Sequence, residues 1–204
     1  MKNDLEKFFA FFREAEKLKS VLRRSFMTSG RQESSAEHSW RLALMVFIFA
    51  GELSLDINIS RAMKIAIVHD LPETIAGDVD TVDIHDGKIT KEEKNKRENE
   101  AMEKLKEILP QEIGEDIYGL WDEYENAATK EARYVKALDK IECLTQLVEA
   151  GYKIYDRPEL IAPYADEAVK NFPELLPALR IVKRKLKEEF IKGGFQWKEE
   201  YDKV

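Results

Sequence analysis

The chain has 204 residues, of which 44% are hydrophobic and 36% charged, and its formal net charge is −7. This length and composition suit a folded protein with a sizeable core and argue against a disordered chain. The acidic balance argues against nucleic acid as the main partner, because a phosphate backbone calls for a basic surface. The single cysteine, Cys143, excludes an internal disulfide and a zinc site built from several thiolates.

Apolar residues are distributed in short periodic groups rather than in long runs. No run approaches the roughly 18 residues of a membrane-spanning helix, and the first residues carry no signal-peptide pattern. We therefore expect a soluble, cytoplasmic protein with no membrane contact. Glycine and proline are few and strand-like alternation is scarce, which predicts an all-α fold. No linker or repeat divides the sequence, so residues 1–204 are expected to form one domain.

The first predicted element is an amphipathic helix, in which apolar residues recur at helical spacing from Leu5 to Leu22. Arg23 and Arg24 stand at its end. Two arginines in this place can complement the dipole of the helix. Their guanidinium groups also match the geometry of phosphate oxygens. The residues alone leave both interpretations open.

The second predicted helix begins after a polar loop, at a capping box formed by Ser34 and Glu37, and runs to about Leu53. Apolar residues occupy most of its faces, which predicts a central position in the fold. His38 falls in its first turn, at the mouth that should face solvent. A histidine there can be a metal ligand, and it can equally be a capping or core residue.

The third predicted helix, capped by Ser60, ends in a segment that carries four candidate chemical groups within ten residues. An apolar run at 66–68 leads into a His–Asp pair, and Pro72 then stops the helix. Such a pair alone is weak evidence, because a lone buried histidine is more often a hydrogen-bonded core residue. The four candidates are His69, Asp70, Glu73 and Asp78.

The acidic segment from Thr74 to Ile89 is predicted to be a loop. A calcium-binding EF-hand loop is excluded, because two positions that should hold ligands are Val82 and Ile89. The pair at 85–86 repeats the His–Asp dipeptide in a polar stretch with no buried helix behind it. We interpret this second pair as solvated and without a chemical role.

The rest of the chain is predicted to be helical, with a second capping box at Thr90 and Glu93. A helix from about 130 to 150 carries Asp139 in the middle of an apolar face. Most mid-helix aspartates are exposed, but a buried one needs a cation. The basic residues of the last helix, Lys183 among them, are predicted to form its solvated face.

The candidate groups follow one another in the order His…His-Asp…Asp, through His38, His69, Asp70 and Asp139. This order resembles the HD-domain superfamily of metal-dependent phosphohydrolases. Two neutral imidazoles and two carboxylates suit a divalent ion such as Mn, Co, Fe, Ni, Zn or Mg. Four protein ligands leave open positions only on a five- or six-coordinate ion, which favours Mn or Co over a structural Zn.

The surrounding segments resemble one branch of that superfamily, the 5′-deoxynucleotidases, over roughly residues 5–150. The segments are Ser-Ala-Glu-His-Ser at 35–39, His-Asp-Leu-Pro-Glu-Thr-Ile-Ala-Gly-Asp at 69–78 and Val-Lys-Ala-Leu-Asp-Lys at 135–140. The resemblance implies a compact helical bundle with the metal site between central helices. Residues 151–204 would add only more helix. It also implies a homodimer, for which the Phe-rich first helix or the last helix could supply the apolar surface.

The resemblance further assigns expected roles at the site. Arg23, with Arg24 as the fallback, would bind the substrate phosphate. Glu73 and Asp78 match the acidic pair of the branch and would orient water or handle the leaving group, without a separate role for each. Arg24 stands where some bacterial members carry a tryptophan, so the preference for deoxyribose over ribose stays open.

The expected reaction is hydrolysis of (deoxy)nucleoside 5′-monophosphates to nucleoside and phosphate, with a small nucleotide as substrate. Three alternatives stay open. Cyclic-nucleotide hydrolysis would need further histidines for a second metal, and only His85 is left over. Hydrolysis of a nucleotide pyrophosphate would use more acidic residues, which the segment 78–86 could supply. A non-catalytic metal-binding scaffold or adaptor would need neither Arg23 nor the acidic pair.

Overall fold

The computed structural model describes residues 2–203. Helices dominate this part of the chain, and a two-stranded hairpin lies between the first two, so the all-α prediction is confirmed. The hairpin strands are β1 Leu22–Phe26 and β2 Gln32–Ser34. The α-helices are α1 Lys2–Glu16, α2 Ser35–Glu52, α3 Ile59–Val68, α4 Glu73–Ala76, α5 Thr81–His85, α6 Lys91–Ile108, α7 Gln111–Glu125, α8 Lys130–Ala150, α9 Pro158–Ile161, α10 Asp166–Lys170 and α11 Leu176–Gly193.

Both predicted capping boxes are confirmed. The Ser34 hydroxyl accepts the Glu37 N–H while the Glu37 carboxylate accepts the Ser34 N–H, and Thr90 and Glu93 form the same pair at α6. Each box satisfies two backbone N–H groups that a helix start leaves unpaired. The cap of α3 was predicted wrongly: the side chain of Asn58 accepts the Arg61 N–H, so the helix begins one residue before Ser60.

The hairpin corrects the prediction for the two arginines. Helix α1 ends at Glu16, and a single 3-10 turn leads into β1, so Arg23 and Arg24 lie on a strand rather than at a helix end. Consecutive side chains on a strand point to opposite faces. Arg23 therefore turns inward with its side chain 15% exposed, and Arg24 turns outward with 41% exposed. Gly30 closes the hairpin at a φ of 83°, which a residue with a Cβ rarely adopts.

The acidic segment is also more ordered than the predicted loop. Helix α3 ends at Val68, four residues before Pro72, and Pro72 directly precedes the single turn of α4, since proline fits the start of a helix. Asp80 then caps α5 by accepting the Val82 N–H at 2.6 Å. These two turns place Glu73 and Asp78 at defined positions after α3.

Helix α8 lies at the centre of the fold, and packs against α2, α3, α7, α11 and β1. The main core comprises fully buried residues of these helices, among them Leu42, Ile65, Leu138, Leu144 and Leu179. A second apolar cluster joins the end of α3 to α1, α6 and α7. No helix in the described part of the chain is long and apolar enough to cross a membrane.

Helix α2 is less enclosed than its composition predicted. One of its faces packs on the core through residues such as Leu42 and Val46, but the opposite face exposes large apolar side chains at helical spacing. These are Trp40, Leu44, Phe47 and Ile48, which we call the α2 stripe.

Lys183, by contrast, was predicted to lie on the solvated face of the last helix. It is buried, because its ammonium pairs with Asp166 at 2.6 Å and donates to the Tyr201 carbonyl at 2.7 Å.

Candidate metal centre

Three helices bring the predicted metal ligands together in one buried cluster. His38 lies in the first turns of α2, His69 and Asp70 directly follow α3, and Asp139 lies in the middle of α8. The sequence placed His38 at a solvent-facing mouth, but it is fully buried because α8 covers that turn. The ring centroids of His38 and His69 are 5.4 Å apart.

The imidazole nitrogens face carboxylate oxygens at distances that suit a shared ion. His38 Nε2 lies 3.0 Å from Asp139 Oδ1 and 3.9 Å from Asp70 Oδ2. His69 Nε2 lies 3.1 Å from Asp70 Oδ1. Although buried, neither Nε2 atom has a hydrogen-bond partner of acceptable geometry. Ligands at right angles on an ion with bonds of about 2.1 Å lie about 3 Å apart, so these residues fit a divalent metal.

The other nitrogen of each ring is held by a neighbour. His38 Nδ1 is hydrogen-bonded to the carboxylate of Glu142, which also accepts a hydrogen bond from Arg41 Nε at 2.5 Å. His69 Nδ1 donates to the Ala66 carbonyl at 2.9 Å. Such partners fix the ring orientation and leave Nε2 free to bind metal. Sequence reasoning missed Glu142, although its position one turn after Asp139 on α8 was an available signal.

Asp139 is buried, and neighbouring protein groups donate hydrogen bonds to its carboxylate. Its Oδ2 accepts hydrogen bonds from Tyr124 Oη at 2.7 Å and Lys140 Nζ at 2.8 Å. Burial raises the pKa of Asp139, but Lys140 and His38 outweigh that effect and hold the pKa well below its ordinary value. The expected cation for a buried Asp139 is therefore present. The other oxygen, Oδ1, accepts a hydrogen bond from Cys143 Sγ at 3.7 Å and faces His38 Nε2.

The cluster attracts positive charge. Burial and the Arg23 charge lower the pKa of His38, but Glu142 and Asp139 raise it further, to about 10. Burial lowers the pKa of His69, by more than the Asp70 charge raises it. Glu142 and Asp139 favour the protonated, positively charged form of His38. The same carboxylates also make this position favourable for a metal cation.

Glu73 and Asp78, the predicted acidic pair, both lie beside the cluster. The Ser35 hydroxyl donates to Glu73 Oε2 at 2.6 Å. Burial, with the charges of Asp70 and Asp78, raises the pKa of Glu73 to about 9. Burial also raises the pKa of Asp78, against the opposing effect of Arg23. Burial thus favours the neutral form of both carboxyl groups.

Arg23, and not Arg24, enters the cluster. Its Nη1 lies 3.2 Å from Asp70 Oδ2 and its Nη2 lies 3.1 Å from Cys143 Sγ. The carboxylate of Glu33, on the neighbouring strand, lies 3.7 Å from Nε. Arg24 points outward and pairs with Asp156. The guanidinium of Arg23 is thereby fixed beside the ligand carboxylates.

A cavity opens from the cluster toward the C-terminal third of the chain. Its lining includes Arg23 and Asp78, further charged residues and an apolar wall. The apolar wall includes Leu147, Ile154, Leu160, Ile161 and Tyr164. The segment after residue 150 is helical, as expected, but it adds more than helix, because Tyr164 and its neighbours line the cavity. His85 and Asp86 are exposed and contact Arg157 instead.

Comparison with known proteins places these residues in a family context. The HD domain family profile matches residues 15–165. The human 5′-deoxynucleotidase HDDC2 is 36% identical over 170 residues, covering 81% of this chain and 79% of the relative. The 5′-deoxynucleotidase hdd1 of Schizosaccharomyces pombe is 34% identical over 71% of this chain and 72% of its own length.

Solved structures give the same fold. A crystal structure from Magnetospirillum magnetotacticum MS-1, described as a predicted metal-dependent phosphohydrolase, superimposes with a TM-score of 0.79 at 27% identity. The match covers 96% of this chain and 100% of that one. A conserved hypothetical protein from Pyrococcus furiosus matches with a TM-score of 0.62 at 27% identity, over 85% of this chain and 99% of its own.

Proposed function

The chain belongs to the HD-domain family, and from this premise we propose that it hydrolyses (deoxy)nucleoside 5′-monophosphates to nucleoside and inorganic phosphate. It is a metal-dependent phosphohydrolase that acts on a small-molecule nucleotide. The observation that carries the proposal is the buried cluster of two imidazoles and two carboxylates beside an arginine that lines a cavity.

We assign the metal ligands to His38, His69, Asp70 and Asp139. The unpartnered Nε2 atoms of the two rings lie about 3 Å from Oδ1 atoms of the carboxylates, and each ring is oriented from its other side. A bound divalent ion would lower the pKa of a water molecule toward neutrality and neutralise charge on a phosphate oxygen. Four protein ligands and an attacking water require more than four coordination positions, which favours Mn or Co.

The remaining residues act on the substrate directly. Arg23 is assigned to the phosphate group, since its guanidinium already lies beside Asp70 and offers donors that match phosphate oxygens. There it would also stabilise charge that grows in the transition state. Glu73, which lies beside the cluster and is held by the Ser35 hydroxyl, is assigned to the attacking water. Asp78 lies on the cavity side and is assigned to the leaving oxygen or the sugar.

The test is phosphate release from a panel of ribo- and deoxyribonucleoside 5′-monophosphates. The protein is first stripped with EDTA and then supplied with Mn, Co, Mg or Zn. Metal-restored release from nucleoside monophosphates is the expected result. Release from deoxyribonucleotides alone would further define the sugar preference. No release from any of them with any metal would contradict the proposal.

A homodimer is proposed as the working form, with the α2 stripe as its contact surface. Four large apolar side chains on one helix face are costly to leave in water, and exposed patches of this kind mark interaction sites. The sequence had indicated α1 or α11 instead. Both also expose apolar residues, Phe9 and Phe12 on α1 and Ile181 and Ile191 on α11.

A further inference from the structure

Glu33 is a buried carboxylate that has no role in the reaction described above. It lies on β2, and its side chain is 4% exposed. The Ser25 hydroxyl donates to Glu33 Oε2 at 2.7 Å, and the same oxygen lies 3.7 Å from Arg23 Nε. A buried carboxylate costs free energy unless polar groups or a cation compensate for the lost water. Here the compensating groups lie on β1, the strand that carries Arg23.

The hairpin places Glu33 beside Arg23. Strands β1 and β2 are antiparallel and Leu22 pairs with Ser34, so the next residues along the two strands are Arg23 and Glu33. Opposite residues of an antiparallel pair share one face and bring their side chains together. The Gln32 side chain also donates to the Arg23 carbonyl at 3.1 Å, which ties the strands together at this point. The contact therefore follows from the strand pairing.

The nitrogens of the Arg23 guanidinium face different partners. Nη1 donates to Asp70 at 3.2 Å, and Nη2 donates to Cys143 Sγ at 3.1 Å. Nε is buried, has no hydrogen-bond partner and faces the Glu33 carboxylate. A guanidinium carries its five donors in one rigid plane. A carboxylate beside Nε can therefore orient both Nη groups without occupying either.

Glu33 differs from the other two partners because it has no competing task. Asp70 is assigned to the metal, and Cys143 offers only a weak sulfur acceptor. A phosphate group that binds the two Nη groups would replace both of these contacts, but not the one at Nε. We propose that Glu33 is a positioning residue, which orients the Arg23 guanidinium for the phosphate group of the substrate. This inference rests on the proposed phosphohydrolase function.

Stability distinguishes this role from a purely structural one. Burial and the Glu142 charge raise the pKa of Glu33, while Ser25, His38 and Arg23 oppose that shift. Ionised Glu33 therefore lowers the free energy of unfolding at pH values above its ordinary pKa. Glu33→Gln should leave the urea midpoint of the metal-free protein at pH 8 unchanged or higher. A purely structural role requires a lower midpoint.

The test measures binding of inorganic phosphate to the metal-saturated full chain by calorimetry, in the unmodified protein and in Glu33→Gln. A guanidinium that is no longer held in place should bind phosphate at least about tenfold more weakly. Metal affinity, titrated separately, should change less than about threefold, because Glu33 contacts Ser25 and Arg23 and not a metal ligand. If Glu33→Gln does not fold, Glu33→Asp, whose shorter side chain draws the carboxylate away from Nε, should weaken phosphate binding in the same direction.

A double-mutant cycle tests whether Glu33 acts through Arg23. Arg23→Gln alone should weaken phosphate binding more than Glu33→Gln does, because it removes the donors themselves. Glu33→Gln added to Arg23→Gln should then change the affinity by less than about twofold, since the residue that it positions is already absent. These titrations extend to millimolar phosphate.

Glu37→Gln is the matched control. Glu37 lies four residues after Glu33, pairs with Arg31 and forms the capping box of α2 with Ser34. Its loss removes an equal charge and should lower the urea midpoint, because the capping box is broken. Phosphate affinity should match that of the unmodified protein. Glu33→Gln is expected to show the reverse pattern, with weaker phosphate binding and no loss of stability.

Four results would overturn the inference. Three concern the variants: unchanged phosphate affinity in Glu33→Gln, an equal loss from Glu33→Gln with and without Arg23, and a loss of metal affinity with normal phosphate affinity at saturating metal. The fourth is an unmodified protein that binds no phosphate, because Arg23 would then have none to receive. Failure of the proposed function would look different: phosphate would bind and depend on Glu33, but nucleotides would release none.

Discussion

The two carboxylate oxygens of Asp139, a proposed metal ligand, face different partners. Oδ1 faces His38, and Oδ2 is held by Tyr124 and Lys140. Asp139→Asn keeps the shape but removes the charge that a metal requires. We expect turnover and metal affinity to fall by more than the roughly 10–100-fold typical of changes to outer partners of a metal ligand.

The measurement is metal binding by calorimetry together with phosphate release, with circular dichroism to confirm the fold. Asp86→Asn is the control, because Asp86 lies in the repeated His–Asp pair but is exposed and pairs with Arg157. It should behave as the unmodified protein does. Full activity in Asp139→Asn would remove Asp139 from the ligand set.

Glu73 makes the metal-free protein sensitive to pH. The pKa of Glu73 is about 9 in the folded protein, against an ordinary value of 4.5. Between these values the folded protein binds one more proton than the unfolded chain, so the free energy of unfolding falls as pH rises. Glu73→Gln, which cannot ionise, should therefore stabilise the metal-free protein by about 2–4 kcal/mol at pH 8 and by little at pH 5.

Urea unfolding at pH 5 and pH 8, in the presence of EDTA, checks this expectation. Glu92→Gln serves as the control for loss of an ordinary surface carboxylate, because Glu92 is exposed on α6. Equal stabilisation of Glu73→Gln at both pH values would mean that ionisation of Glu73 is not the cause.

The residues that the sequence identified are those with a local signature. His69, Asp70, Glu73 and Asp78 lie within ten positions behind a helix stop, and Pro72 marks that stop. Glu142 lies one turn after Asp139 but has no motif of its own, and Tyr124 and Lys140 have no such signal. Their significance depends on which face of α7 or α8 meets the imidazoles, and helix packing decides that face.

At the scale of elements, the hairpin and α2 show where periodicity is an incomplete guide. Residues 17–26 hold too few apolar positions to separate a helix from a short strand, yet only the strand places Arg23 inward and Arg24 outward. The apolar composition of α2 predicted burial on most faces. Composition alone does not distinguish a helix that is buried on every face within one chain from a helix that exposes one apolar face.

The α2 stripe yields a prediction about assembly. Phe47→Glu places a charge in the middle of the stripe, where Phe47 is 57% exposed, and should convert a dimer to a monomer while leaving the fold intact. Light scattering after size exclusion gives the mass. Phe9→Glu on α1 and Ile181→Glu on α11 test the two other surfaces and should leave the dimer unchanged. A monomeric Phe9→Glu or Ile181→Glu variant with a dimeric Phe47→Glu variant would move the interface to that other helix.

At the scale of the whole molecule, the C-terminal third is integral to the core. Leu175, Leu179, Leu186 and Phe190 are buried to 1% exposure or less, in the same cluster as Leu138 and Leu144 of α8. Helix α8 also carries Asp139. The motifs that identified the family ended near residue 150, because they are those of the site, whereas the family profile matches as far as residue 165. Burial of the remainder follows from packing that no motif records.

The single-domain prediction can therefore be tested through α11. Leu179→Ala removes a fully buried side chain that packs toward α8 and should cost about 2–5 kcal/mol, since the surrounding core relaxes only partly around the cavity. Ile181→Ala, two positions later on the same helix and 51% exposed, should cost less than about 0.5 kcal/mol. Both are measured by urea unfolding of the metal-free protein.

The number of urea unfolding transitions tests whether the chain forms one domain. If α11 and α8 share one core, Leu179→Ala shifts a single cooperative transition to lower urea, and fluorescence and circular dichroism report the same midpoint. Metal added before unfolding should then raise that midpoint in both variants, because an ion that binds only the folded state stabilises the entire cooperative unit. Two separate transitions, with only the later one sensitive to metal, would instead divide the chain near residue 150 into an independent HD core and a C-terminal domain.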